Sequence, residues 1–166
     1  MKKYDLVDRL REEWHRERPE LDTSGMGVVG RAILLGELMK KRAEAVLEPF
    51  GIGYTDLDVL ATLRRSGPPH ELRPAVLLET ILIQSGSLTA CLNRLEASGL
   101  VVREPTPKDR RGLSVRLTTD GRRLVDRAIE ARFTQAVEAV APLAAEQRRQ
   151  LESLLRKLLV TEMDAT

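Results

Sequence analysis

Apolar positions recur three and four residues apart along most of the chain, and clusters of Gly, Pro and small polar residues cut the pattern into segments. Leu6, Leu10 and Trp14 form one stripe and predict a helix over 3–17, ended by Pro19 and the polar Asp22-Thr23-Ser24-Gly25 stretch. A second helix is predicted over about 26–47, turning Val29, Ile33, Leu34, Leu38 and Val46 inward and stopping at Pro49-Phe50-Gly51. Thr55 is placed to N-cap a third helix carrying Leu57, Val59, Leu60 and Leu63, which Ser66-Gly67-Pro68-Pro69 closes. A short helix follows over about 73–82, then a turn at Ile83-Gln84-Ser85-Gly86. Ser85 is placed to cap the next helix, which Gly99 ends as a left-handed cap.

Residues 100–118 change period. The runs 100–104 and 113–117 are short and β-rich, and the polar segment 105–112 between them predicts a β-hairpin with a basic tip. Thr118 then starts a long helix with Leu124, Ala128, Ile129, Phe133, Val137 and Val140. Pro142 interrupts it, and a last helix carries Leu151, Leu154, Leu155, Leu158 and Leu159. The expected fold is mainly α with a small β-hairpin: a winged helix-turn-helix over 51–118, flanked by N-terminal helices over 1–50 and C-terminal helices over 119–166.

Composition narrows the picture. Only 3% of the 166 residues are aromatic, so the core is built from Leu, Val, Ile and Ala, which suits helices better than a β-sandwich. Cys91 is the single cysteine, which excludes an intramolecular disulfide and a cysteine-based zinc cluster. The first residues are charged and lack an apolar signal core, and no apolar run is long enough to span a membrane, so a cytoplasmic location is expected. The net charge of +2 is uninformative by itself, but between Gln84 and Arg127 nine basic residues face five acidic ones. A locally basic segment on a near-neutral chain fits a phosphate-bearing partner as well as a merely solvated surface.

The helix after Ser85 separates cleanly into two faces. At about 100° per residue, Leu88, Leu92 and Leu95 share the buried stripe. Ser87, Ala90, Asn93, Arg94 and Ala97 gather on the other face, with Thr89 at its margin. Small residues let the backbone sink into a groove, and Ser, Thr, Asn and Arg supply donors and acceptors that read base edges. Arg94 is placed to hold a guanine or a phosphate. At the hairpin tip Lys108, Arg110 and Arg111 surround Asp109, a composition suited to a narrow minor groove, with Asp109 orienting an arginine. Cys91 lies some way off the buried stripe, half covered, as a small core residue or a redox switch.

These residues resemble the MarR family of bacterial regulators. The resemblance rests on Ser85-Gly86-Ser87-Leu88-Thr89, on 94–101, on Asp109-Arg110-Arg111, and on Val115-Arg116-Leu117-Thr118 followed by Gly121, and it covers nearly the whole chain. It implies a homodimer with interleaved N- and C-terminal dimerisation helices, and two winged domains on a pseudo-palindromic double-stranded DNA operator. The recognition helices would then sit roughly 34 Å apart. It implies contacts from Ser85, Ser87, Thr89, Ala90, Asn93 and Arg94 and from Lys108, Asp109, Arg110 and Arg111, with Arg111 in the minor groove. The extra N-terminal helix with Trp14, Asp58 and Arg103 looks like the urate-responsive subgroup and implies an anionic or aromatic small-molecule effector. Cys91 holds the place of one arginine of that subgroup, leaving Arg103 to attract the anion. Trp14 also suits a packed interface, and Asp58 a cap or a pair within the helices.

An enzyme is not expected. His15 and His70 have no metal-ligand spacing, and neither a Gly-rich phosphate loop nor a hydrolase nucleophile motif is present. No catalytic residue, metal or cofactor is expected. The competing class is a winged helix used for protein–protein contact without DNA affinity, but such a surface is expected to expose more aromatics than this chain has.

Overall fold

The computed structural model describes residues 4–81, 85–106 and 109–164, leaving out the side chains of 85–87, 106 and 109–112. The chain divides into two compact units, Met1–Ala45 and Val46–Thr166. The elements run α1 (Leu6–Glu17), α2 (Met26–Leu47), a 3₁₀ turn (Glu48–Phe50), α3 (Tyr54–Arg65), β1 (Glu71–Leu72), α4 (Pro74–Thr80), α5 (Ser85–Ala97), β2 (Val101–Thr106), β3 (Asp109–Leu117), α6 (Thr119–Ala139) and α7 (Ala145–Asp164).

In the N-terminal unit, Asp5 starts α1 with a capping box. Its Oδ1 accepts from the Asp8 backbone N–H at 3.0 Å, while Asp8 Oδ2 accepts from the Asp5 N–H at 3.2 Å. The same two carboxylates hold Arg31 of α2, whose Nε lies 2.8 Å from Asp5 and whose Nη2 lies 2.6 Å from Asp8. Arg31 holds both carboxyls below their ordinary pKa, chiefly by hydrogen bonding. Val7 is buried and packs on Gly30, where an added Cβ would already touch its methyls at 3.4 Å. The expected inward stripes read differently here. Val7, not Leu6 or Trp14, is the buried residue of α1, and Val29, Ile33, Leu34 and Leu38 of α2 are exposed on the single chain.

The second unit packs Leu47, Leu60, Leu63, Leu77, Leu95, Val101, Val115 and Val125 into one core beneath a three-stranded antiparallel sheet of order β1-β3-β2. β3 pairs with both neighbours, Arg103 opposite Val115 and Leu72 opposite Val115 from the other side. β1 is absent from the sequence reading because two residues carry no periodicity. The hairpin strands are also longer than expected: β2 runs to Thr106 and β3 resumes at Asp109, so Asp109 to Gly112 belong to a strand rather than the turn. The N-cap of α3 is Gly53, not Thr55, which lies inside the first turn.

The junction between β2 and α6 is closely fitted. Thr118 caps α6, accepting from the Gly121 N–H at 2.9 Å, and its hydroxyl donates to the Gly99 carbonyl at 2.7 Å. Gly99 supplies the left-handed turn (φ +70) that ends α5. A Cβ on Gly121 would stand 1.9 Å from the Leu100 carbonyl oxygen, so only glycine lets the helix start against that strand. This gives the Thr118/Gly121 pairing of the sequence its physical reason.

Candidate nucleic-acid interface

α5 places Leu88, Leu92 and Leu95 in the core and leaves Thr89, Ala90, Asn93 and Arg94 exposed on the opposite face. The two faces read from the sequence are therefore the two faces of the helix. Ser85 and Ser87 lie in its first turn, but their side chains fall outside the described residues, as do those of Asp109, Arg110 and Arg111 in β3. Lys108 lies outside the described residues altogether.

Cys91 departs from the half-covered position expected for it: it is fully buried. Its thiol donates to Asp56 Oδ1 at 3.1 Å. Burial first, and that hydrogen bond second, push the thiol pKa up to about 12. Asp56 is the residue the sequence reading missed. Almost buried itself, it accepts from the Gly53 N–H at 3.0 Å through Oδ2, and from Cys91 and Arg94 Nη2 (2.7 Å) through Oδ1. It therefore caps α3 and holds α5 at once. The only signal in the sequence is an aspartate at the third position of a helix that follows glycine, which marks a cap and says nothing of α5. Arg94, whose pKa is raised by this hydrogen bond, is tied to the protein by one guanidinium nitrogen while more than half of its side chain stays exposed.

Arg103 of β2, expected at the effector, reaches α5. Its backbone N–H donates to Glu96 Oε1 at 3.2 Å, its Nε lies 3.5 Å from Glu96 Oε2, and its Nη2 donates to Asn93 Oδ1 at 2.5 Å. Arg116 pairs with Glu104 across the hairpin at 2.7 Å. The hairpin base and the exposed face of α5 are thus joined by charged hydrogen bonds, which are stronger than neutral ones.

Asp58 lines a cavity of about 210 Å³ between α3 and α6, with Tyr54, Leu57, Ala61, Arg132, Phe133 and Ala136. Arg132 is a cation that the sequence reading did not associate with Asp58, because 74 residues of chain separate the two. Trp14 lies in the N-terminal unit, about half exposed, and Asp58 and Arg103 in the other.

A helix-turn-helix whose second helix shows a polar outer face, followed at once by a basic two-stranded hairpin, defines a winged-helix DNA-binding regulator. The MarR family model matches residues 50–112. The HTH-type transcriptional regulator PecS of Dickeya dadantii is 30% identical over 158 residues, covering 95% of both chains. The multiple antibiotic resistance protein MarR of Salmonella typhimurium is 33% identical over 134 residues, 79% of this chain and 90% of that one. Among solved structures, a mutant MarR from E. coli complexed with operator DNA superposes with a TM-score of 0.71 at 26% identity, covering 94% of this chain and 99% of that one. A MarR family regulator from Streptomyces coelicolor in complex with DNA gives 0.73 at 25% identity, covering 84% and 92%. The chain belongs to the MarR family: it is a DNA-binding transcriptional regulator and not an enzyme.

Proposed function

We propose that the protein is a homodimeric repressor that grips a pseudo-palindromic operator and lets go when a small anionic or aromatic ligand binds. The observation that carries the DNA contact is the exposed row Thr89, Ala90, Asn93 and Arg94 on α5, beside the hairpin whose β3 carries Asp109, Arg110 and Arg111; Lys108, by its place in the sequence, joins them in this proposal. Ser85 and Ser87 complete the helix contribution at its N-terminal turn, where backbone N–H groups favour phosphate. Arg94 has one Nη2 donor committed to Asp56, which favours a phosphate contact over a two-point grip on guanine. Arg111 enters the minor groove. In this division of labour residues 51–118 meet DNA, and 1–50 and 119–166 hold the dimer together in the cytoplasm.

The ligand part rests on Trp14, Asp58 and Arg103, and the Asp58 cavity supports it. Arg132 there offers an anion the cation that Cys91 cannot, and the aromatic rings of Tyr54 and Phe133 suit a single flat ring in about 210 Å³. Arg103 is already bonded to Asn93 and Glu96, so an anion that draws its guanidinium away acts directly on α5. Release requires the ligand to prefer a non-binding arrangement of the two recognition helices by a few kcal/mol.

The test is fluorescence anisotropy with the DNA immediately upstream of its own gene, across a salt series with competitor DNA. Nanomolar, competitor-resistant binding is expected, and Arg111→Ala should weaken it and lower the salt slope by about one. An unchanged slope removes Arg111 from the DNA backbone. An effector panel of purines, urate included, and small aromatic acids that alters neither operator affinity nor melting temperature removes the ligand part and leaves the DNA part standing.

A further inference from the structure

Asn93 is an amide on the outer face of α5 whose hydrogen-bonding sense is fixed by a neighbour. An asparagine amide offers both an acceptor oxygen and two donor hydrogens, and its orientation is normally ambiguous. Beside Arg103 it is not, because a guanidinium carries five N–H donors and no acceptor, so the amide must turn its oxygen toward it. The 2.5 Å contact between Arg103 Nη2 and Asn93 Oδ1 is therefore chemically one-way. Arg103 is itself held from behind. Glu96, one turn along α5 on the same face as Asn93, takes the Arg103 backbone N–H on one oxygen and lies 3.5 Å from its Nε with the other. Three-quarters of the Arg103 side chain is covered, so this is a braced group rather than a loose surface arginine.

We infer that Arg103 sets the base preference of this regulator through Asn93. The inference rests on the reading that Asn93 faces the major groove. An unbraced asparagine recognises adenine with both ends of its amide, accepting from N6–H₂ and donating to N7. Here the accepting end is engaged, and the positive charge beside it repels the hydrogens of an exocyclic amine. That leaves the two Nδ2 hydrogens as the end of the amide free to meet a base. They suit a base edge that is all acceptor in the groove, guanine with O6 and N7, or thymine with O4, and they select against adenine and cytosine. Arg103 touches no base in this account. It is a positioning residue, and the base it specifies is read by its neighbour.

The experiment uses the full-length protein and a randomised duplex library, followed by anisotropy on the selected sequence and its single-base variants. Wild type is expected to disfavour adenine by roughly tenfold at one position of each half-site, and Asn93→Ala to flatten the preference there. Arg103→Met, which keeps the stem but loses the donors, should move the preference at that position toward adenine by about tenfold and leave other positions unchanged. Arg103→Lys, still a donor without an acceptor, should retain the wild-type preference. Arg103→Ala serves the same comparison where methionine disturbs β2, with melting curves as the check on folding. If Arg103→Met and Arg103→Ala weaken binding evenly over all bases while Asn93→Ala flattens one position, the proposal is overturned and the reading of Asn93 survives. If Asn93→Ala changes no preference, Asn93 does not face DNA and the proposal falls with that reading.

Discussion

Cys91 gives its thiol hydrogen to the same Asp56 oxygen that holds Arg94, so a proton on sulfur is part of what positions α5. With a thiol pKa of about 12, only roughly one molecule in ten thousand carries the thiolate at pH 8, and the sulfur is buried as well. Maleimide labelling of the native protein at pH 8 is therefore expected to proceed only as fast as the unit opens, and to become immediate in urea. Rapid native labelling would restore a redox role to this residue. The sequence placed Cys91 beside the buried stripe correctly in kind but too shallowly in degree. Its partner lies 35 residues away on another helix, and no local pattern announces such a pair. For the same reason Asp56 escaped notice: its bond from the Gly53 N–H is local to α3, but those from Cys91 and Arg94 exist only once α3 and α5 are packed.

Helix limits were legible to within a few residues wherever a breaker or cap stands in the sequence, as with Gly99 and Thr118. The two-residue β1 and the extension of β3 past Gly112 were not, because pairing and not composition creates them. In the N-terminal unit the fastening of α1 to α2 by Asp5, Asp8 and Arg31 is a second arrangement that spacing could not reveal. Arg31 lowers both carboxyl pKa values. The stability this contributes is full above the unfolded carboxylate pKa of about 4 and is lost as pH falls through the lowered folded values. Trp14, the only tryptophan, sits on α1 and reports this fastening by fluorescence. An acid titration should show its transition below pH ~4 in the wild type, and Arg31→Met should shift that transition upward or abolish it. Coincident titrations would mean that α1 is held by Val7 alone.

At the scale of the whole molecule, the hydrophobic pattern told which faces require cover and not what covers them. Val29, Ile33 and Leu38 on α2, Phe133 and Val137 on α6, and Leu154, Leu158 and Leu159 on α7 are exposed on a single chain. Apolar faces of that extent in each unit call for a partner, and the proposed homodimer would supply it from a second copy of the chain. Under the proposed dimer, Leu158→Glu is expected to raise the dissociation constant on the order of a hundredfold, the cost of putting a charge into an apolar contact. Sedimentation velocity over a dilution series checks it. Operator binding should become concentration-dependent in the same range. A variant that sediments as the wild type does would place the dimer contact elsewhere. No helix among the described residues is long and apolar enough to cross a membrane.

The missing side chain at Gly121 also bears on how motion passes through the second unit. With backbone resting on backbone, the joint between α6 and the start of β2 has no soft layer to compress and hence no play. A tilt of α6, the helix that lines the Asp58 cavity, would on this geometry carry the hairpin root with it instead of being absorbed on the way. A ligand acting through such a joint, as proposed for the Asp58 cavity, would spend little of its binding energy on deforming the protein between cavity and hairpin.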